Sequence, residues 1–536
     1  MSRALTSSPA LGRFLLLAIL GCGGGDDGPG SPSPAVAVDP SSATVEAGHA
    51  AVAFTATRTA VTEATTWTLQ GPGTLSETSG DATSYTPPAT LEQSATATLT
   101  ATAGTVSDQA TITITPAGAG PTISVAGTVV DECQRPVADA VVWIRNRGIT
   151  RTNASGGFSF TAVPTPYDVG AMQGQLIRIY GGLSAPTVRL TVPSTAAPRT
   201  APMSGSLTVG AGSTAEIPQP LGRRTILGFH APDNLYVAVP FPGVNPHGLI
   251  VSWCGDETVS GTLEALQWTT QTNPANPNLA EQFNGYGNSE VPARAGSQTS
   301  AADIVLEAVE TLTLTGTTEL PAGLLVNNRL IGLDAGRRHL DPPLWFDAQV
   351  GTTLPGGFTL KIPDAPGVKL SVAADAQGSA GFAQTWVRDL SPTATMTVTV
   401  NPPPVALEPS AGSDVELGSQ AFTWESDVSG VQGLMVSLTY PRPEGGFIRA
   451  LDYQIYTQAR SFRVPRPEEF GLTSIPANSS ADWQVGSSNE PTVAGMVAPT
   501  RNLTFGASSL YMTLPIPETP EVRFALTLGF NTFQVH

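Results

Sequence analysis

The chain has 536 residues, of which 40% are apolar and only 13% charged, with a net charge of −17. That length implies several domains of about 100–200 residues each, and the apolar fraction is high enough for packed cores. The acidic balance excludes nucleic-acid binding, which needs basic surface to neutralise phosphate, and excludes a hold on anionic lipid heads through basic patches.

With 55 glycines and 47 prolines among abundant Thr, Val and Ser, the composition suits many short strands joined by turns and leaves little room for helices. Lys361 and Lys369 are the only lysines. Lys–Asn isopeptide locks, used by some bacterial surface modules, therefore cannot be general along this chain.

At the N-terminus, Arg3 and Arg13 precede a short apolar run, Phe14 to Leu20, too short to span a bilayer as a mature helix. The run ends Ile19-Leu20-Gly21-Cys22, which resembles a bacterial lipobox. The resemblance implies that 1–21 is a lipoprotein signal peptide and that Cys22 carries the lipid. Residues 22–35, rich in Gly, Asp, Ser and Pro, read as a flexible tether. Gly23 in place of Asp after the lipidated cysteine implies sorting to the outer membrane. The expected location is the bacterial cell envelope.

Residues 36–117 form the first expected domain. Ala95 to Thr100 and Ala110 to Thr115 alternate with period two, so each strand turns one face to a core. Thr66-Trp67-Thr68-Leu69, a Gly-Pro-Gly turn and Tyr85-Thr86-Pro87-Pro88 follow in an order that resembles bacterial Ig-like domains, with Trp67 in the core. Residues 121–193 carry Val125 to Asp131, Arg135 to Ile144, Thr152 to Phe160, Val163-Pro164 and Tyr167 to Val169. This string resembles the carboxypeptidase regulatory-like domain, a transthyretin-like sandwich grouped with carbohydrate-binding-like folds, and implies an accessory module without catalytic residues.

Residues 201–272 and 303–402 read as β-rich modules separated by a polar loop or linker at 273–302. They carry a weak internal repeat: Ser204 to Thr208 then Gly222-Arg223-Arg224, and Thr315 to Leu320 then Gly336-Arg337-Arg338. Gly356 to Pro363 echoes Gly156 to Pro164, so 303–402 is expected to be transthyretin-like and 201–272 a diverged copy. Residues 403–536 open within a proline spacer. Their Phe422-Thr423-Trp424 and Trp483-Gln484-Val485 resemble an Ig or fibronectin type III sandwich, with 478–497 expected to be irregular. The whole reads as all-β: tandem β-sandwich modules, Ig-like and transthyretin-like, behind a signal peptide and a flexible tether.

No metal-binding His pair, nucleophile elbow, phosphate loop or EF-hand run occurs, so no cofactor or metal is expected. An enzyme reading would need His230, Asp233, His247, Asp256, Asp334, His339 and Asp341 to converge in the middle region. A sugar-stacking reading would need exposed rings from Trp253, Trp268, Tyr286, Trp345 and Trp386. Once Cys22 is lipidated, Cys133 and Cys254 remain. Cys133 is expected at a turn near the surface and Cys254 at a strand end, and the two either form one disulfide or stand as separate thiols.

The sequence thus points to a non-enzymatic cell-envelope lipoprotein whose modules act as spacer and as binding or adhesion surface. Its expected partners are the membrane, through the lipid, and a surface protein or polysaccharide. The alternative is a polysaccharide-binding or polysaccharide-processing lipoprotein centred on 201–402. The anchor is testable by fractionation: Cys22→Ala should release the protein from membranes or leave it unprocessed. Wild-type cleavage and membrane association in that variant would refute the lipobox reading.

Overall fold

The structure, a computed structural model, describes residues 33–535 apart from 90, 92–93, 116–121, 195–198, 218–221, 231–233, 237–246, 254–255, 271–278, 297–302, 335–343, 380, 392–394, 443, 500–504, 508–512, 516–518, 520 and 528–530. Cys22 and Cys254 lie outside the described residues. Nearly every secondary-structure element among the described residues is a strand, and the chain divides into two compact units.

The smaller unit is a two-sheet sandwich built from β1 (Ala35–Asp39), β2 (Ser42–Glu46), β3 (Val52–Thr59), β4 (Thr66–Gln70), β5 (Thr74–Leu75), β6 (Ala82–Thr86), β7 (Ala95–Ala103) and β8 (Val106–Thr115). One sheet runs β1-β3-β6-β5 and the other β2-β8-β7-β4. Period-two alternation in β7 buries Ala97, Leu99, Ala101 and Ala103. Trp67 is 2% exposed and donates its indole N–H to the Gly80 carbonyl at 2.8 Å. The Tyr85 hydroxyl donates to Pro72 O at 2.6 Å. Its ring occupies the space above Gly73 (φ 111°), where a Cβ would lie 2.4 Å from ring carbon. The Gly-Pro-Gly turn is therefore a seat for that ring.

The larger unit contains one seven-strand layout three times. The first copy is β9 (Thr122–Asp131), β10 (Val141–Ile144), β11 (Gly148–Arg151), β12 (Gly157–Pro164), β13 (Tyr167–Gln173), β14 (Leu176–Leu183) and β15 (Thr187–Val192). Its first strand pairs antiparallel with the fourth and parallel with the seventh, giving β12-β9-β15. Strands three, two, five and six form the facing sheet β11-β10-β13-β14.

The second copy is β16 (Arg199–Gly205), β17 (Leu207–Val209), β18 (Arg223–His230), β19 (Asn234–Tyr236), β20 (His247–Trp253), β21 (Thr258–Thr270), β22 (Ala280–Arg294) and β23 (Ile304–Leu306). Here the first strand is split: β16 pairs antiparallel with β20, and β17 parallel with β23. The facing sheet is β18-β21-β22, and β19 has moved across to pair with β20. The third copy is β24 (Glu310–Glu319), β25 (Leu324–Asp334), β26 (Leu344–Leu354), β27 (Gly357–Asp364), β28 (Lys369–Gly378), β29 (Gly381–Leu390) and β30 (Met396–Thr399). It repeats the first copy strand for strand, as β27-β24-β30 facing β26-β25-β28-β29.

Copies one and three share a clasp. Gly127 of β9 lies opposite Phe158, and Gly316 of β24 lies opposite Phe358. A Cβ on Gly127 would meet the Phe158 ring at 2.6 Å and Val188 O at 2.4 Å; one on Gly316 would meet the Phe358 ring at 2.4 Å and Met396 O at 2.5 Å. Each phenylalanine thus lies flat over a strand that has no side chain there.

Residues 280–294, expected within a polar linker, instead form the sixth strand of the second copy. Its Gly285 and Gly287 lie where neighbouring chain passes close by: a Cβ on Gly287 would lie 2.1 Å from Val305 O. Asn284 is buried because Thr269 donates to its Oδ1 and its Nδ2 donates to Thr214. The outward edge of β22 is blunted. Tyr286 bonds Glu307 on the side away from β21, and Pro292, six residues on, has no N–H to offer there.

The C-terminal segment comprises β31 (Val405–Glu408), β32 (Asp414–Val415), β33 (Phe422–Glu425), β34 (Gln432–Pro441), β35 (Phe447–Thr457), β36 (Ser461–Phe462), β37 (Ser479–Ser488), the short helix α1 (Val493–Met496), β38 (Phe505–Ala507), β39 (Thr513–Pro515), β40 (Glu521–Thr527) and β41 (Asn531–Val535). The stretch 478–497, expected to be irregular, holds β37 and α1, with Thr492 accepting from the Gly495 N–H as helix cap. The order β35-β34-β37-β40 carries β14 of copy one on its β35 side and β29 of copy three on its β40 side. The result is one sheet of fourteen strands through three modules.

At the β14–β35 junction, Arg178 is 1% exposed. Its guanidinium donates to Gln454 Oε1 at 3.0 Å, Glu132 Oε1 at 3.1 Å and Thr191 O at 3.1 Å. Trp143 packs on Phe470 with centroids 5.1 Å apart, and Tyr180 on Tyr456 at 5.6 Å.

The clasp yields a test. Gly127→Ala or Gly316→Ala should each destabilise the protein by about 2 kcal/mol, because a methyl inserted under a seated ring forces strand and ring apart. Denaturant unfolding of each variant measures it, and wild-type stability would mean the rings are not seated as described.

Candidate functional site

Of the seven residues that an enzyme reading requires, only Asp256 has a described side chain. Asp233, His339 and Asp341 lie outside the described residues, and the side chains of His230, His247 and Asp334 are likewise not described. Asp256 is exposed, and its carbonyl accepts the Trp253 indole N–H at 2.9 Å. No cluster of three or more His, Cys, Asp or Glu suited to a metal occurs among the described residues.

The aromatic residues of the middle region are core. Trp253, Trp268, Tyr286 and Trp386 are all buried, while the side chain of Trp345 is not described. Trp268 packs on Phe346 at 5.5 Å, Trp386 on Phe524 at 5.5 Å, and the Tyr286 hydroxyl donates to buried Glu264 Oε1 at 2.7 Å. Each ring stands on the inward side of its strand, so none of the four is a surface platform for a sugar.

Two polar features remain. An open depression of about 730 Å³ lies at the seam of copies two and three, lined by Thr269, Glu281, Gln282, Val309, Glu310, Thr311 and Lys361. It is fixed by the Thr311 hydroxyl, which accepts the Phe283 N–H at 2.8 Å, and Lys361 Nζ donates to Thr313 at 3.2 Å. Two carboxylates, one ammonium and the hydroxyls of Thr269 and Thr311 suit a hydrogen-bonding ligand.

The second feature is a polar group within copy three, centred on the half-buried Asp375. Gln384 Nε2 donates to Asp375 Oδ1 at 2.6 Å, and Asn328 Nδ2 donates to Asp347 Oδ1 at 3.4 Å. Burial pushes the Asp375 carboxyl above the ordinary carboxylate range, and the negative charge of Asp347 adds to this against the hydrogen bonds of Gln384 and Asn328. Beside it Arg329, fully buried, donates to Thr318, Gln349 and Pro355 O and lies 4.9 Å from the Phe358 centroid. Burial lowers its pKa to about 10, which leaves it charged at neutral pH. Like Arg178, it holds strands together. Sequence reasoning missed these groups, since a lone Asp or Arg in an alternating strand reads as solvent-facing.

Cys133 is in the turn after β9, where it was expected, but its side chain is buried at 8% exposure and it is part of a disulfide. Both candidate partners lie outside the described residues.

No protein-family model matches the chain, and no curated protein matches it. Among solved structures it is similar to the Bacillus anthracis TIE protein, at 9% identity over 68% of this chain and 74% of that one, with a TM-score of 0.15. It is also similar to BcpA, the major pilin subunit of Bacillus cereus, at 10% identity over 52% and 99%, TM-score 0.13. A third is the pilus adhesin SpaC from Lactobacillus rhamnosus GG, at 10% identity over 64% and 56%, TM-score 0.14. TM-scores this low settle no function.

The Asp375 shift has a pH consequence. A carboxyl whose pKa is raised on folding stabilises the fold below the unfolded value, near 3.9, and loses that contribution as pH rises through the folded value. Asp375→Asn should therefore raise the melting temperature at pH 7, and the gain should shrink towards pH 4. An equal shift at both pH values would show that ionisation of Asp375 is not the cause.

Proposed function

We propose that this chain is a non-catalytic, lipid-anchored protein of the bacterial cell envelope, whose β-sandwich modules form a stiff spacer carrying a binding or adhesion surface. The observation that carries the reading is the sheet of fourteen strands, which joins copies one and three through the C-terminal segment by backbone hydrogen bonds. Modules joined this way do not swing like beads on linkers, and stiffness is what a spacer needs. The lipobox at Cys22 and the tether at 22–35 supply the anchor in this reading.

A second reading, polysaccharide binding or processing, is favoured by one observation: the open polar depression at the seam of copies two and three falls inside 201–402. One experiment separates the two. The mature chain is tested on a glycan array, on whole cells and for release of reducing ends from bound polysaccharide. Binding without release is the expected result, and measurable release would overturn the non-catalytic reading. If glycan binding is found and Lys361→Ala together with Glu310→Gln weakens it about tenfold or more with melting unchanged, the depression is the binding surface.

A further inference from the structure

The joint between the first and second copies contains a cysteine that is already in covalent use. Cys133 follows β9, its backbone N–H donates to Asp131 Oδ1 at 2.9 Å, and its sulfur is in a disulfide. The chain has three cysteines, so the partner is Cys22 or Cys254.

We infer that Cys133 is bonded to Cys254 and that this bond clamps copy one to copy two across the connection 195–198. The described residues on both sides of that connection carry the inference. On one side, Asp131 is the parallel partner of Val192, and Arg135 Nη2 donates to Ser194 Oγ at 2.6 Å. Arg135 Nε also binds Asp131 Oδ2 at 2.9 Å, so the Cys133 turn is pinned to the end of β15. On the other side, the chain re-enters at Arg199, whose partner across β16–β20 is Trp253, the neighbour of Cys254. From Ser194 to Arg199 a fully extended chain reaches at most about 18 Å. The turn that holds one thiol and the strand end that leads into the other thus flank the same short connection. Under the anchoring proposed above, the Cys22 thiol becomes a thioether to lipid and has no disulfide to give; this part of the inference rests on that reading.

The bond forms in an oxidising compartment by thiol–disulfide exchange. One thiolate attacks the disulfide of an exported protein oxidant to give a mixed disulfide, and the second thiolate displaces the oxidant's sulfur. The two cysteines lose two protons and two electrons, and the oxidant leaves as a dithiol. The joint then has two states, reduced without that covalent bond and oxidised with it.

The test uses the full mature chain, alkylated and digested without reductant, with linked peptides mapped by mass spectrometry. The expected result is a Cys133–Cys254 peptide pair that separates on reduction, with Cys22 recovered on a lipidated peptide. Alkylated, unlinked Cys133 and Cys254 would overturn the clamp and leave the anchor standing. A Cys22–Cys133 pair would overturn both. A second measurement follows protease cutting at 195–198. Reductant should speed it by about tenfold or more in wild type, since the bond restrains opening of the joint, and should not change it in Cys254→Ser. A wild-type rate indifferent to reductant would also overturn the clamp.

Discussion

An edge strand is an unfinished ladder of hydrogen bonds, and two such edges, β14 and β29, govern how the larger unit is assembled. Both are the sixth strand of their copy, and both are completed by the C-terminal segment: β35 runs parallel to β14, and β40 runs antiparallel to β29. The other contacts follow from these pairings. With β35 in register, Arg178 faces Gln454 and Tyr180 faces Tyr456, so a buried cation finds its acceptors and two rings meet. With β40 in register, Trp386 and Phe524 pack edge to face. The second copy solves the same problem without a partner strand from the C-terminal segment, by the Tyr286–Glu307 bridge and by Pro292 on the outward side of β22. One repeat thus shows two remedies for bare edges, capping and blunting.

Much of this was legible because period-two alternation reports burial directly. Trp67, Leu99 and Ile112 fall in the core as the pattern of their strands requires, and the all-β class follows from composition and alternation. The echo of Gly156–Pro164 in Gly356–Pro363 proved structural, since both segments are fourth strands whose phenylalanine covers a first-strand glycine. The Gly-Arg-Arg matches were different. Gly222-Arg223-Arg224 leads into the second strand of its copy, whereas 336–338 come after the second strand of theirs and lie outside the described residues. Short glycine motifs recur by composition; a glycine opposite a phenylalanine recurs because of packing.

What was not legible has a common physical cause. The pairing of β14 with β35 joins residues 276 positions apart, and no local pattern reports a partner at that distance. The strand β22 looked like a linker because the stretch around it is polar, Asn-rich and poorly periodic. Only the approach of Val305 shows why side chains are excluded there. Arg178 and Arg329 have the same character: each is polar by type and interior by virtue of partners that the sequence places elsewhere.

The completion of β14 by β35 also sets an order of events in folding. Contacts this far apart in sequence close large loops and form late. As the chain is made, copy one can fold while its sixth strand is paired only with β13, and its outer side stays bare until the residues of β35 have emerged. Copy three waits in the same way for β40. During that interval the growing polypeptide presents two apolar strand edges of the kind that recruit other chains. A frameshift or early stop within the last module would therefore do more than remove one domain. It would leave the earlier ones with open ladders and a tendency to join their own kind.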